Sequence, residues 1–187
     1  MRGSNVLAVT LAISTVATAS AQAIQLADGT VYFAYPPQLI SATSTFKEAY
    51  SPFATYYFTL NVPANAGEPL QRVTINQKEG TVAVRFNLKD TKAFVGTAGD
   101  TRQRLSLVGA TREKKTQTIS ITFNPPVPPG EIVTISLSPH RNPLDGVYLF
   151  GVTAFPAGAK PHGQFLGFGR LQFYGTGELP FSPFGFP

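Results

Sequence analysis

The chain has 187 residues, with 15 Lys and Arg against 10 Asp and Glu, a formal net charge of +5 and no cysteine. The missing cysteine excludes thiolate metal sites, thiol nucleophiles and disulfide staples, so any core is held by packing alone. Fifteen Phe and seven Tyr without a single Trp favour a densely packed aromatic interior over sugar-stacking platforms.

The amino terminus reads as an export signal. Arg2 supplies a positive start, Val6 to Val16 is a largely apolar run without charge, and Ala21-Gln22-Ala23 has the form of a cleavage site. Thr10, Ser14, Thr15, Thr18 and Ser20 dilute the run, which falls short of the roughly 20 strongly apolar residues an anchor needs. Cleavage after Ala23 is expected. Removing those 23 of the 187 residues leaves 164, the length of one domain with enough apolar surface to bury a core. No later stretch is long and apolar enough to span a bilayer as a helix. The predicted organisation is a leader over 1–23, a single domain over 24–175 and a tail over 176–187.

From Ile24 onward the apolar period is two, the pleat period of strands. Asp28-Gly29 marks a first hairpin turn. Thr45-Phe46-Lys47-Glu48 has capping-box spacing but no apolar helical face after it. Tyr56, Phe58, Leu60 and Val62 alternate with Tyr57, Thr59 and Asn61. Asn65 to Pro69 is a connection, Val73 and Ile75 belong to a strand, and Glu79-Gly80 is a second turn. Val82, Val84, Phe86 and Leu88 predict the next strand, and Asp90 to Phe94 one helical turn.

Leu105 and Leu107 mark a short strand inside the one concentrated charge of the chain. Arg102, Arg104, Arg112, Lys114 and Lys115 face only Glu113 between positions 102 and 115, a local excess of four positive charges. An anionic partner is expected to meet this stretch first.

Ile119, Ile121 and Phe123 form a strand, Pro125 to Gly130 a stiff connection outside any ladder, and Val133, Ile135 and Leu137 another strand. Asp145-Gly146 is the third acid–glycine turn. Val147 to Phe155, and Phe165 to Tyr174 except for Arg170 and Gln172, are apolar on both faces and read as central strands, with Gly163, Gly167 and Gly169 admitting bulky neighbours. Three prolines between Pro180 and Pro187 predict an extended tail.

Eight to ten strands with at most short helical turns predict an all-β fold. The expected form is an antiparallel two-sheet sandwich of immunoglobulin-like type, with a closed barrel as the alternative.

The residues offer little chemistry. His140 and His162 stand in Pro-flanked loops, too few for a zinc site without carboxylates, and three of the ten acids sit in turns. No nucleophile elbow, zinc-protease helix, Walker loop or dinucleotide fingerprint occurs. No catalytic, metal or cofactor residue is predicted, and an exported protein has no expected nucleic-acid partner. The expected function is non-catalytic binding of an anionic envelope component or of another exported protein. An envelope polysaccharide hydrolase and a carrier of a small apolar ligand are the alternatives.

Several stretches resemble a known family. Gln25 to Phe33, Ala64 to Ile75, Phe123 to Gly130, Arg141-Asn142-Pro143, Gly146 to Gly158 and Gly163 to Tyr174 resemble exported cyanobacterial proteins of the family of unknown function numbered 2808. The resemblance covers nearly all of the predicted domain and leaves the tail after Gly175 outside. It implies an exported β protein and brings no known activity.

Overall fold

A computed structural model of the protein describes residues 24–175. The predicted leader and tail lie outside the described residues. Two antiparallel sheets of five strands face each other and a small three-stranded sheet covers one end. The first large sheet is ordered β3 (Gln38–Ser44), β4 (Tyr56–Asn61), β10 (Ile132–Pro139), β6 (Phe86–Thr97), β7 (Asp100–Leu105). The second is ordered β13 (Gln164–Phe173), β11 (Gly146–Pro156), β5 (Leu70–Glu79), β9 (Thr118–Val127), β8 (Leu107–Glu113). β1 (Ile24–Gln25), β2 (Thr30–Tyr32) and β12 (Lys160–Pro161) make the small sheet, in which β12 runs parallel to β2. The expected two-sheet sandwich is therefore the fold, and the two large sheets do not close into a barrel.

Alternation explains the core. Tyr56, Phe58 and Leu60 on β4 pair with Leu137, Ile135 and Val133 on β10, and all six are fully buried. Opposite them, Val73 and Ile75 on the central strand of the second sheet pair with Ala154 and Val152 on one side and with Ile121 and Ile119 on the other. The rings meet between the sheets. Phe150 lies 5.8 Å from Phe58 and 6.2 Å from both Tyr56 and Phe86, in edge-to-face geometry. Burying such a ring contributes about 1.5–3 kcal/mol. These rings belong to one continuous buried cluster that spans both large sheets.

The central strand β10 is buried on both faces, so its outward threonine needs internal partners. The Thr134 hydroxyl donates to the Gly96 carbonyl at 2.7 Å, and Thr59 in turn donates to Thr134 at 2.9 Å.

One side of the sandwich is sealed where edge strands β3 and β13 pack together. A side chain on Gly169 would sit 2.6 Å from Cβ of Ala42 and 3.0 Å from the Phe58 ring, so glycine is what lets the two sheets approach there. On the other side the chain passes from the first sheet to the second through Ser106, making β7 and β8 the remaining edges.

Several expectations are corrected. β13 is an edge strand with Phe165 and Phe168 about half exposed, whereas β11 is interior. Val82 to Arg85 is irregular and β6 begins at Phe86. The Gln77 side chain donates to the Val82 carbonyl and accepts from the Val84 N–H, each at 2.8 Å. These bonds satisfy that backbone without a ladder. Asp90 to Phe94 is strand, because pairing with β10 and β7 outweighs a weak local preference. Thr45 to Glu48 is not helical. Pro125 and Pro126 lie within β9, inside a bulge where the partner strand β5 steps from Leu70 to Arg72 and no ladder donor is required. Asp28-Gly29 does turn β1 back onto β2, but Glu79-Gly80 and Asp145-Gly146 carry the chain between the large sheets instead of closing hairpins.

Candidate functional site

The five predicted basic residues do not share one face. Phe94, on the outer surface of the first sheet, pairs with Arg104, which places Arg104 on that surface, whereas Arg102 is the unpaired residue of a bulge between Gln103 and Thr101. Arg102 is paired with Asp100 at 3.5 Å, with both side chains largely exposed. Arg112 pairs with buried Ile119 and so lies on the inner side of β8, half-buried at the sheet margin. An inward charge on an edge strand discourages pairing with another chain. Lys114 and Lys115 stand in the exposed turn that leads to β9.

The structure brings a different set together. On β10 the pairing steps from Ser136 to Ser138 while on β6 it steps from Lys92 to Asn87, so residues 88–91 bulge out of the ladder. The paired stretch of β7 ends opposite Ala93, which leaves the bulge facing β8 across an open groove of about 790 Å³. Leu88, Leu105, Leu107 and Ala110 form its floor, partly buried against the core. Its rim carries Lys89, Lys92 and Arg104, all exposed and none in an ion pair among the described residues. No carboxylate lines it. Thr91, in the bulge, has its hydroxyl buried without a hydrogen-bond partner. Lys89 and Lys92 do not stand out in the sequence because Asp90 between them leaves a local excess of only one positive charge. The Asp90 carboxylate accepts instead from the Asn87 amide.

A second concavity lies at the end of the sandwich opposite the small sheet. The loop after β5 (residues 80–85) and the loop after β10 (residues 140–145) form it together with Tyr50, enclosing about 720 Å³. Asn142 organises it. This side chain has no solvent exposure, donates to the carbonyls of Phe46 and Glu48 at 3.0 and 2.9 Å, and accepts from the Tyr56 hydroxyl at 2.9 Å. Burial, and then the neighbouring Tyr148, push the Tyr56 hydroxyl well above the ordinary phenol range, so it remains a donor at every ordinary pH. The sequence marked the Arg141-Asn142-Pro143 stretch only through resemblance. No spacing rule singles out an asparagine whose side chain bonds both the 46–48 segment and Tyr56.

The histidines are at opposite ends. His162 stacks on Tyr32 with ring centroids 4.4 Å apart, beside the small sheet, whereas His140 follows β10. A shallow depression does gather Ser138, His140 and Asp90, but no hydrogen bond links the three and Asp90 is engaged by Asn87. Among the described residues no three His, Asp or Glu side chains gather as metal ligands would, and no helix is long and apolar enough to cross a membrane.

These features define an all-β sandwich domain with two open, cation-lined concavities. The chain belongs to the family described as protein of unknown function (DUF2808), which matches residues 30–173, as the resemblance of its sequence implied. Among curated proteins no relative matches it. Of solved structures, the bacterial hydrophobin BslA aligns with 77% of this chain and 100% of its own at 14% identity and a TM-score of 0.44. The collagen-binding domain of a Staphylococcus aureus adhesin aligns with 72% of this chain and 94% of its own, at 10% identity and a TM-score of 0.37. The collagen-binding subdomain of the Enterococcus faecalis surface protein ACE aligns with 74% and 97%, at 8% identity and a TM-score of 0.40. Likeness at this level transfers no ligand or mechanism to this chain.

Proposed function

We propose that the protein is a non-catalytic binding module of the cell envelope or surface that holds an anionic envelope component along its open side. The observation that carries this reading is the groove between β6 and β8, where Lys89, Lys92 and Arg104 ring an apolar floor with no acid in the lining. Arg102, Arg112, Lys114 and Lys115 extend the positive field along the adjoining edges, so a polyanion reaching the groove is attracted before contact. The leader-like residues 1–23 support an exported address, in which acidic polysaccharide or anionic lipid headgroups supply the opposite charge.

Exchanging Lys89, Lys92 and Arg104 together for Gln tests this. These side chains are exposed, so the fold is expected to survive, while binding to isolated envelope material drops by about tenfold or more, as expected on losing charge-assisted contacts. Exchanging Arg102, Arg112, Lys114 and Lys115 for Gln is expected to slow capture and cost less affinity. Wild-type binding by the groove variant would contradict the proposal.

A further inference from the structure

The end concavity around Tyr50 shares no lining residue with the groove, and its chemistry differs from it. It is held rigid from three directions. Gln77 fixes Val82 and Val84 through the two bonds described above, and the His140 N–H donates to the Arg85 carbonyl at 2.9 Å, tying one loop to the other. Asn142 anchors the second loop from beneath, its N–H donating to the Ser51 carbonyl at 2.8 Å.

Tyr50 is held in the left-handed region, at a φ of 62°. A bulky non-glycine residue rarely adopts that conformation unless its surroundings impose it. Its ring stays half exposed at the mouth of the concavity, with the Arg141 guanidinium 5.3 Å from the ring centroid. An arginine resting on an aromatic face keeps its charge while its fork of donors is oriented.

The charged groups of the lining are all cations or potential donors. Arg85 and Arg141 stand in no ion pair among the described residues, His140 shares the wall with them, and no carboxylate is present in the lining. Around these donors Val82, Pro143 and Leu144 give apolar surface. Convergent donors beside apolar walls suit a compact ligand that presents anionic oxygens on one side and a ring-sized C–H surface on the other.

We infer that this concavity binds the anionic end of a carbohydrate, its carboxylate or phosphate held by Arg85 and Arg141 and its ring resting against Tyr50 and Leu144. A sugar acid and a sugar phosphate share that chemistry, and the experiment separates them.

The test is calorimetric or NMR titration of the purified protein with digalacturonate, with glucose 1-phosphate, with a neutral disaccharide and with inorganic phosphate. Saturable binding of digalacturonate assigns a sugar acid, and saturable binding of glucose 1-phosphate a sugar phosphate. In either case Arg85→Gln and Arg141→Gln are each expected to weaken binding about tenfold, and Arg141→Lys to restore only part of it, since an ammonium lacks the bidentate fork. The groove variant with Lys89, Lys92 and Arg104 exchanged for Gln is expected to bind as wild type does, which separates this site from the proposed envelope-binding surface. The inference is overturned if neither anionic sugar binds, if the Arg85 and Arg141 variants bind as wild type, or if inorganic phosphate or the neutral sugar binds as tightly as the anionic sugars.

Discussion

The Tyr56 hydroxyl donates to Oδ1 of Asn142 at 2.9 Å across 86 positions of sequence, and neither residue has any solvent exposure. This bond joins the aromatic core to the loops of the end concavity. With the Asn142 amide donating to the carbonyls of Phe46 and Glu48, every polar atom of that side chain is occupied. Tyr56→Phe leaves Oδ1 buried and unpaired and is expected to cost about 1–3 kcal/mol in denaturant unfolding. Asn142→Ala is expected to cost more and to speed hydrogen exchange at Asn142 and Ala49. Equal stability of Tyr56→Phe and wild type would show that the bond carries no net stabilisation.

Gly169 is a point of close approach between the sealed edges. Gly169→Ala is expected to destabilise by about 1–3 kcal/mol through overpacking against Ala42 and Phe58. The double variant Ala42→Gly with Gly169→Ala is expected to recover part of that loss, because the clashing methyl is removed. A double variant no more stable than Gly169→Ala alone would place the strain against Phe58 instead.

The hydroxyl chain on β10 has a direction, and the two threonines differ accordingly. Thr134→Val strands both the Gly96 carbonyl and the Thr59 hydroxyl, whereas Thr59→Val leaves the Thr134 to Gly96 bond intact. Denaturant midpoints are expected to rank wild type above Thr59→Val and Thr59→Val above Thr134→Val, with about 1–3 kcal/mol lost in the last. The reverse order would contradict the assigned direction.

The small sheet is tied by Asp28, which accepts from the Thr30 N–H at 3.0 Å, the Thr30 hydroxyl at 2.9 Å and the Lys160 ammonium at 3.0 Å. The Thr30 backbone N–H first, and Lys160 after it, hold the Asp28 carboxyl below its ordinary value of 3.8. A lowered carboxyl contributes stability that is fully present above the unfolded value and is lost as pH falls through the folded one. The group is largely exposed, so the effect is local and small. Amide exchange at Thr30 and His162, corrected for the intrinsic pH dependence, is expected to accelerate below about pH 4 in the wild type. In Asp28→Asn it should show no such step. A step of the same size in both proteins would exclude Asp28 as its source.

Much of the fold was legible because alternation reports burial directly. The residues alternating from Tyr56 to Leu60 and from Val133 to Leu137 are the ones that face the second sheet. Sequence reading failed where side chains stand in for strands or tertiary pairing overrides local preference. Val82 to Arg85 alternates like a strand yet is held by Gln77, and β13 is apolar enough for a centre while lying at an edge. The charged surface was only partly legible. Arg104 was found by local charge density, but its groove partners Lys89 and Lys92 come from another strand and meet it only through the β6 bulge. The end concavity was invisible for the same reason, since Tyr50, Arg85 and Arg141 converge from three separate loops.

The most direct test of the central claim is co-sedimentation of the purified protein with isolated envelope fractions at low and at high salt. Screening shortens the reach of exposed charges from about 30 Å at 0.01 M to about 3 Å at 1 M ionic strength. If the open side holds an anionic envelope component, the protein pellets with the envelope at low salt and returns to the supernatant at high salt. Binding that is indifferent to salt, or no binding at either concentration, would contradict that account.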